Sequence, residues 1–207
     1  MTTSLCKTGL LIVILFTKAE IISGKHMQRL LIVFSFLCFI AFPSFSQKKV
    51  NWLTWEQAME KNKVEKRKIV IDFYTDWCSW CKKMDQYTFE ADIIAEYLNE
   101  NFYPVKFDAE RTETIIYNDK EYKFIKRGKN GYHELAAELM KEKLSFPTVA
   151  FLDENSQLIQ PIPGYIDSKT FEMIMKYFAE DNFKKIPWPK YQREFKHTPR
   201  NPTPVKN

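Results

Sequence analysis

The stretch that decides the fold is Ile69–Asp85, "IVIDFYTDWCSWCKKMD", which places Cys78 and Cys81 three positions apart. Its first six residues are β-branched or aromatic except for Asp72, and such a run is typical of a buried strand. The residues after the cysteines are compatible with a helix. This spacing alone leaves three alternatives open: a redox couple, half of a metal site, or two small neighbouring hydrophobic residues.

Length and composition indicate a single globular domain with additional segments. The chain has 207 residues, of which 45% are hydrophobic, and only 5 are Gly, so low-complexity and fibrous classes are excluded. The formal charge is +5, but the first 46 residues carry four basic side chains against one acid, which leaves +2 for the remainder. That surplus is too weak to predict a nucleic-acid partner.

The N-terminal segment has the layout of a secretory signal. Residues 27–46 contain Arg29, the apolar run Leu30–Phe42 and then small residues, which predicts cleavage between Ser46 and Gln47. The apolar run has 13 residues, fewer than the roughly 20 that span a bilayer. We therefore expect an exported, periplasmic protein, with a retained membrane anchor as the weaker alternative.

Hydrophobic patterns after the leader alternate between helix and strand. Helices between strands predict a parallel start to the sheet, and a final hairpin through Asp153–Ser156 adds an antiparallel edge. The expected fold class is thus α/β, a mixed central sheet with helices on both faces. The predicted elements are a helix within 47–66, strand 69–74, helices after Cys81 and over 91–102, strand 103–110, a hairpin or extended insertion at 111–130, helix 131–144, strands 146–154 and 157–165, and helix 168–183.

Local signals refine these elements. Thr54 followed by Gln57 predicts a capping box, and Ser168 is expected to cap the last helix. The helix over 131–144 should bury one stripe of leucines. That stripe consists of Leu135, Leu139 and Leu144.

Domain boundaries follow from these patterns. We expect a leader at 1–46, a main domain at 47–183 and a Pro-rich, basic tail at 184–207 that is irregular, with a disordered end. His133 is interpreted as a surface residue without a function.

Because of three features, the sequence resembles the thioredoxin superfamily, specifically the exported thioredoxin-like proteins of bacteria. Trp77 precedes the Cys-x-x-Cys pair at a strand-to-helix junction, Asp72 lies six residues before Cys78, and Pro147 precedes Thr148 in "SFPTVAFLD". The resemblance covers roughly residues 52–183. It implies a thioredoxin-like three-layer fold, with the insertion placed before a strand that begins at a cis-proline. The departures from the family are the Ser79-Trp80 dipeptide, the insertion and the tail.

A thiol-disulfide oxidoreductase needs these residue types at this spacing. A cysteine at a helix N-terminus is exposed to unsatisfied N–H groups, which lower its pKa from about 8.5 to about 7 or below. Cys78 is then the nucleophile that attacks a client disulfide. Cys81, one helical turn further on, is the resolving thiol that releases the client.

The resemblance assigns roles to further residues. Asp72 is expected to be buried beneath Cys81, with a raised pKa, and to accept the proton of the resolving thiol. The alternative is an Asp that caps a turn at the strand end. Pro147 is expected to be cis and to face the cysteines, with the backbone of Phe146 and the adjoining Thr148 binding an extended client.

Aromatic and basic side chains surround the pair. Trp77 and Trp80 are candidate client-binding residues, although Trp77 packed on the sheet with only Trp80 exposed is an equally good interpretation. Lys82 and Lys83 are interpreted as a solvated helix face rather than as catalytic groups.

Two competing functions remain to be weighed. A zinc site needs two more ligands, and after leader removal the chain offers only His133 and His197, so we expect neither metal nor cofactor. The other alternative is a binding module of the same fold in which the cysteines form only a structural disulfide.

The Ser79-Trp80 dipeptide between the cysteines bears on the reduction potential that the resemblance implies. It favours the reducing half of the family range, which runs from about −270 to about −120 mV. The implied partners are disulfide-containing clients and a membrane thiol electron donor.

Overall fold

The computed structural model describes residues 48–199. The predicted leader, its cleavage site and the disordered end predicted for the tail lie outside the described residues. None of the helices within 48–199 is long and apolar enough to cross a membrane.

The described chain alternates helices and strands in the predicted order, with extra short elements in the insertion and the tail. The helices are α1 (Trp55–Val64), α2 (Ser79–Met84), α3 (Asp92–Asn101), α4 (Glu134–Leu139), α5 (Ser168–Ala179) and α6 (Trp188–Glu194), with a π-helical turn at Asp85–Phe89 and a 3₁₀ turn at Asn182–Lys184. The strands are β1 (Ile69–Tyr74), β2 (Tyr103–Asp108), β3 (Ile115–Tyr117), β4 (Lys120–Tyr122), β5 (Phe124–Arg127), β6 (Asn130–His133), β7 (Thr148–Leu152) and β8 (Leu158–Pro163).

The central sheet has the strand order β2-β1-β7-β8. Strands β1 and β2 are parallel, and β7 and β8 form the predicted antiparallel hairpin. Strand β7 also runs antiparallel to β1, so the antiparallel part of the sheet begins one strand before the edge. The mixed sheet is therefore confirmed.

Each face of the sheet supports its own hydrophobic core, which gives the three-layer arrangement. Side chains that alternate along β1 point to opposite faces. Ile71 packs with α1, α4 and the β3–β4 hairpin, whereas Val70 packs with α3 and α5. Both cores are rich in aromatic rings, among them Trp55 on the first face and Phe151 on the second.

The insertion consists of two hairpins, β3–β4 and β5–β6. The first turns at Asn118 and Asp119, both with positive φ, as the two-residue hairpin turn requires. The prediction of a hairpin is confirmed, but the second hairpin continues to His133, three residues beyond the predicted end at 130.

The helix predicted over 131–144 is much shorter. Helix α4 begins after His133 and ends at Leu139, because Lys141 and Glu142 adopt positive φ and close the helix with bonds back to Glu138 and Ala137. Leu144 consequently lies beyond the helix and is exposed, so its predicted inward position is wrong.

The prediction that His133 lies on the surface is also wrong. Its side chain is fully buried, and its Nδ1 accepts the Leu135 N–H, so it is the N-cap of α4. Its Nε2 lies 3.0 Å from the carbonyl oxygen of Glu113. Burial lowers the pKa of His133, which fits a neutral ring that donates from Nε2. The ring thereby ties the insertion to α4.

Of the two predicted helix caps, the one at α1 is confirmed and the one at α5 is wrong. The capping box of Thr54 and Gln57 is present, as predicted. At α5 the cap is Asp167, whose carboxylate accepts the N–H groups of Lys169 and Thr170, and Ser168 is the first helical residue. The carboxylate at this position also complements the helix dipole.

The tail is not irregular throughout, contrary to the prediction. Pro187 precedes α6, and Trp188 and Tyr191 pack against Tyr177 of α5. The Tyr177 hydroxyl donates to the carbonyl of Ile186 at 2.6 Å. Packing of these partly buried aromatic rings on α5 therefore holds this segment in a helix despite its prolines.

Both outer edges of the central sheet are modified. At the β2 edge, the Leu53 N–H donates to Pro104 O and the Leu53 carbonyl accepts the Lys106 N–H, which adds a short parallel bridge. The opposite edge strand, β8, contains Pro161 and Pro163, which have no N–H to offer.

Candidate active site

The two cysteines form a disulfide at the start of α2. Their Cα atoms are 5.3 Å apart. Cys78 is the N-cap residue, its Sγ accepts the Cys81 N–H at 3.0 Å, and its own N–H donates to Thr75 O. Both side chains are buried, with 4% of Cys78 and 2% of Cys81 exposed. The pair thus sits where the end of β1 turns into a helix, and the Cys81 N–H in the first turn of that helix donates to the Cys78 sulfur.

Asp72 is a buried carboxyl group in the middle of the site strand, β1. Only 1% of the residue is exposed, and its Oδ2 accepts a hydrogen bond from Lys106 Nζ at 2.6 Å. Burial raises the pKa of Asp72 to about 6, although the charge of Lys106 partly offsets this effect. The carboxyl group therefore changes its protonation state near neutral pH, as a proton acceptor in catalysis would.

Lys106 is a site residue that the sequence reasoning missed. It lies opposite Asp72 in the parallel pairing of β1 and β2, and it bonds both Asp72 and Asp85. Although burial opposes the charge of Lys106, the two carboxylates raise its pKa, so it stays protonated. A lone cation inside the apolar strand "YPVKFD" was the available signal, but only the strand register identifies its partner.

The segment before β7 lies next to the segment before the disulfide. The Phe146–Pro147 peptide bond is cis, as the resemblance implied, and Pro147 is buried. The ring of Phe146 meets that of Trp77 edge-on, with centroids 6.0 Å apart. Thr148 is buried, and its hydroxyl donates to the Ser145 carbonyl at 2.7 Å. Ser145 is exposed and Phe146 is partly open to solvent, whereas Pro147 and Thr148 are buried.

Both tryptophans beside the cysteines are exposed, Trp77 by 65% and Trp80 by 53%. Of the two interpretations left open, the structure therefore has the one in which both rings face solvent. Trp77 Nε1 donates to Glu110 at 3.1 Å, and Trp80 contacts Tyr165, which is itself exposed. The two rings are thus held in place while keeping apolar surface free for contact.

The lysines of α2 are exposed, as expected for a solvated face. Lys83 places its ammonium 4.4 Å from the centre of the Trp80 ring, a cation–π contact that further fixes this ring.

Metal-ligand groupings are absent among residues 48–199: the structure brings no three His, Cys, Asp or Glu side chains together as a possible metal site. Of the two histidines considered above, His133 is a structural cap, and His197 lies 3.1 Å from the carboxylate of Glu172.

A mixed sheet between two helical layers, with a Cys-x-x-Cys pair at the start of the helix that follows a central strand, defines the class of thioredoxin-fold domains. A family model described as a thioredoxin-like domain matches residues 55–179. This match covers more than half of the chain, and the chain belongs to that family.

Proteins from a mammal and from bacteria match parts of this chain. Spermatogenesis-associated protein 20 of Rattus norvegicus is 34% identical over 74 residues, which are 35% of this chain and 9% of that protein. The thiol:disulfide interchange protein DsbD of Actinobacillus pleuropneumoniae is 26% identical over 139 residues, or 62% of this chain and 20% of DsbD. Among solved structures, a disulphide-isomerase candidate from Bacteroides thetaiotaomicron has a TM-score of 0.47 and 19% identity, covering 65% of this chain and 97% of the other. The chain thus spans only a small part of the curated relatives.

Proposed function

We propose that this protein is a thiol-disulfide oxidoreductase that reduces or isomerises disulfides in exported client proteins. The observation that carries the proposal is the Cys78–Cys81 disulfide at a helix start, on the strand that also holds Asp72 with its pKa near neutrality. Two exposed tryptophans beside the pair supply apolar surface for an unfolded client. The match to a segment of DsbD is consistent with this activity.

The catalytic cycle follows from the two sulfurs. The Cys78 thiolate attacks a client disulfide, a bond forms between Cys78 and one client sulfur, and the other client sulfur leaves as a thiolate. Cys81 then loses its proton, for which Asp72 is the proposed acceptor, and attacks Cys78. The client departs with both sulfurs reduced, and the protein is left in the disulfide form. Return to the dithiol requires two electrons and two protons from an external thiol donor, which we propose is a membrane protein.

The experiment that tests this proposal is the redox equilibrium of Cys78 and Cys81 in glutathione buffers, on the chain that starts at Gln47. A potential near about −270 mV identifies a reductase, and one above about −200 mV an isomerase or oxidase. Single Cys78→Ser and Cys81→Ser variants are the matched controls: only the second should trap a mixed disulfide with a client. A pair that never equilibrates with glutathione overturns the enzyme and leaves the binding module with a structural disulfide.

Export is part of the same proposal and is supported by the signal-like leader. Fractionation of cells that express the full chain, with N-terminal sequencing of the product, should give a periplasmic protein that begins at Gln47. A cytoplasmic product that keeps residues 27–46 would contradict this location.

A further inference from the structure

Thr75 occupies the turn between the site strand and the cysteines. It follows the last residue of β1, stands three positions after Asp72 and three before Cys78, and its carbonyl oxygen accepts the Cys78 N–H at 3.1 Å. Its backbone therefore positions the first cysteine. Sequence reasoning gave this residue no role.

The hydroxyl of Thr75 is buried without a hydrogen-bond partner in the disulfide form. Only 1% of the residue is exposed, and within residues 48–199 no group bonds its Oγ1. Other buried threonines are satisfied: Thr88 donates to Ile166 O at 2.6 Å, and Thr148 donates to Ser145 O. A buried hydroxyl with no partner is costly, so a redox state that supplies an acceptor for it is favoured over one that does not.

An acceptor that is gained only on reduction has to be a group that changes between the two redox states. Asp72 is present in both states, and its free Oδ1 is likewise without a partner in the disulfide form, so it does not bond Thr75 there. The sulfurs do change: neither accepts a bond from the Thr75 hydroxyl in the disulfide form, and reduction breaks the bond that fixes their spacing and supplies a thiolate, a charged acceptor that strengthens the bond it accepts. Cys78, whose N–H is already bonded to the Thr75 carbonyl, lies three residues away in the same turn.

We infer that the Thr75 hydroxyl donates a hydrogen bond to the sulfurs of the reduced Cys78–Cys81 pair and thereby sets the redox potential of the site. The inference rests on the proposed function. The reaction is one protein disulfide plus two glutathione thiols giving one protein dithiol plus one glutathione disulfide. Thr75 favours the products of this reaction because it stabilises the protein dithiol.

The test compares Thr75→Val, which keeps the shape and removes the hydroxyl, with Thr75→Ser, which keeps the hydroxyl. Thr75→Val should lower the equilibrium constant for reduction about ten-fold, the typical effect of one hydrogen bond to a charged acceptor. That is a potential about 30 mV more negative. It should also slow the alkylation of Cys78 at low pH, because the thiolate loses its donor. Thr75→Ser should resemble the wild type in both measurements.

Thr88→Val is the matched control, since it removes a buried hydroxyl that is already bonded. It should destabilise both redox forms equally and leave the potential unchanged. If Thr75→Val does not fold, Thr75→Ala serves in its place. If the wild type exchanges with glutathione but the hydroxyl-free variants keep its potential and its alkylation rate, the role of Thr75 is overturned. The proposed function is then left intact. A wild type that does not exchange defeats the proposed function itself.

Discussion

Replacing Asp72 with Asn should stabilise the folded protein at neutral pH. The folded state raises the pKa of Asp72 from its ordinary value of 3.8 to about 6 because burial opposes ionisation more than Lys106 favours it. The folded protein therefore holds this proton more tightly than the unfolded chain does. Ionisation of Asp72 destabilises the fold progressively as pH rises from 3.8 to about 6, and the penalty is complete above that range.

The magnitude follows from the rise in the pKa of Asp72 from 3.8 to about 6. Each unit of pKa change is worth about 1.4 kcal/mol, so this rise corresponds to about 3 kcal/mol of folding free energy. Asn cannot ionise, so the Asp72→Asn variant should gain up to about 3 kcal/mol over the wild type between about pH 3 and about pH 8. Near the lower limit, where Asp72 is neutral in both states, the difference between the proteins should be at its smallest.

Urea unfolding of both proteins across this pH range, with the disulfide intact, measures the effect directly. Asp119→Asn is the control, because Asp119 is an exposed residue of the β3–β4 turn, and this change should leave the pH dependence unaltered. A difference between wild type and Asp72→Asn that is constant with pH, or that shrinks as pH rises, would refute the burial argument.

Four further changes are informative. Lys106→Gln removes the charge that lowers the pKa of Asp72, so the midpoint of the same pH profile should move above about 6; an unmoved midpoint would contradict the pairing. His133→Ala should cost about 2 kcal/mol in urea unfolding, through loss of the α4 cap and its bond to the insertion. Glu172 is buried, and hydrogen bonds that outweigh the effect of burial lower its pKa to about 2. Its carboxylate contacts His197 and accepts the Thr198 N–H, so Glu172→Gln should speed hydrogen exchange at these two residues. Trp80→Ala should raise KM for a client protein several-fold while leaving the glutathione potential unchanged, and a shifted potential would count against a purely client-binding ring.

Local sequence signals predicted the elements around the disulfide well, because they depend on neighbouring residues. Strand β1 has the predicted bounds, and the fold of the family follows from motifs near it. The ion pair of Asp72 and Lys106 was not predictable in this way, since it arises from the pairing of two strands 34 positions apart. His133 was assigned to the surface for a related reason: it fell inside the predicted helix but off its leucine stripe, and its role as a cap depends on Glu113, which lies 20 positions earlier.

The tail shows another limit of composition. Prolines and charges indicate irregular structure, yet Trp188 and Tyr191 find an apolar surface on α5 that no local pattern reveals. Long-range packing therefore decided the structure of this segment, where local propensity pointed to an irregular chain.

The two modified sheet edges bear on how a protein of this kind avoids aggregating with extended chains. An enzyme that handles unfolded chains meets many extended segments that seek unpaired N–H and C=O groups, and an open edge would template their aggregation. Here Leu53 pairs with part of the outer edge of β2, and the prolines at 161 and 163 leave β8 without N–H donors at those two positions. Under the proposed function, this arrangement disfavours the pairing of clients with the outer strands β2 and β8, and the disulfide with the exposed Trp77 and Trp80 rings remains the contact surface.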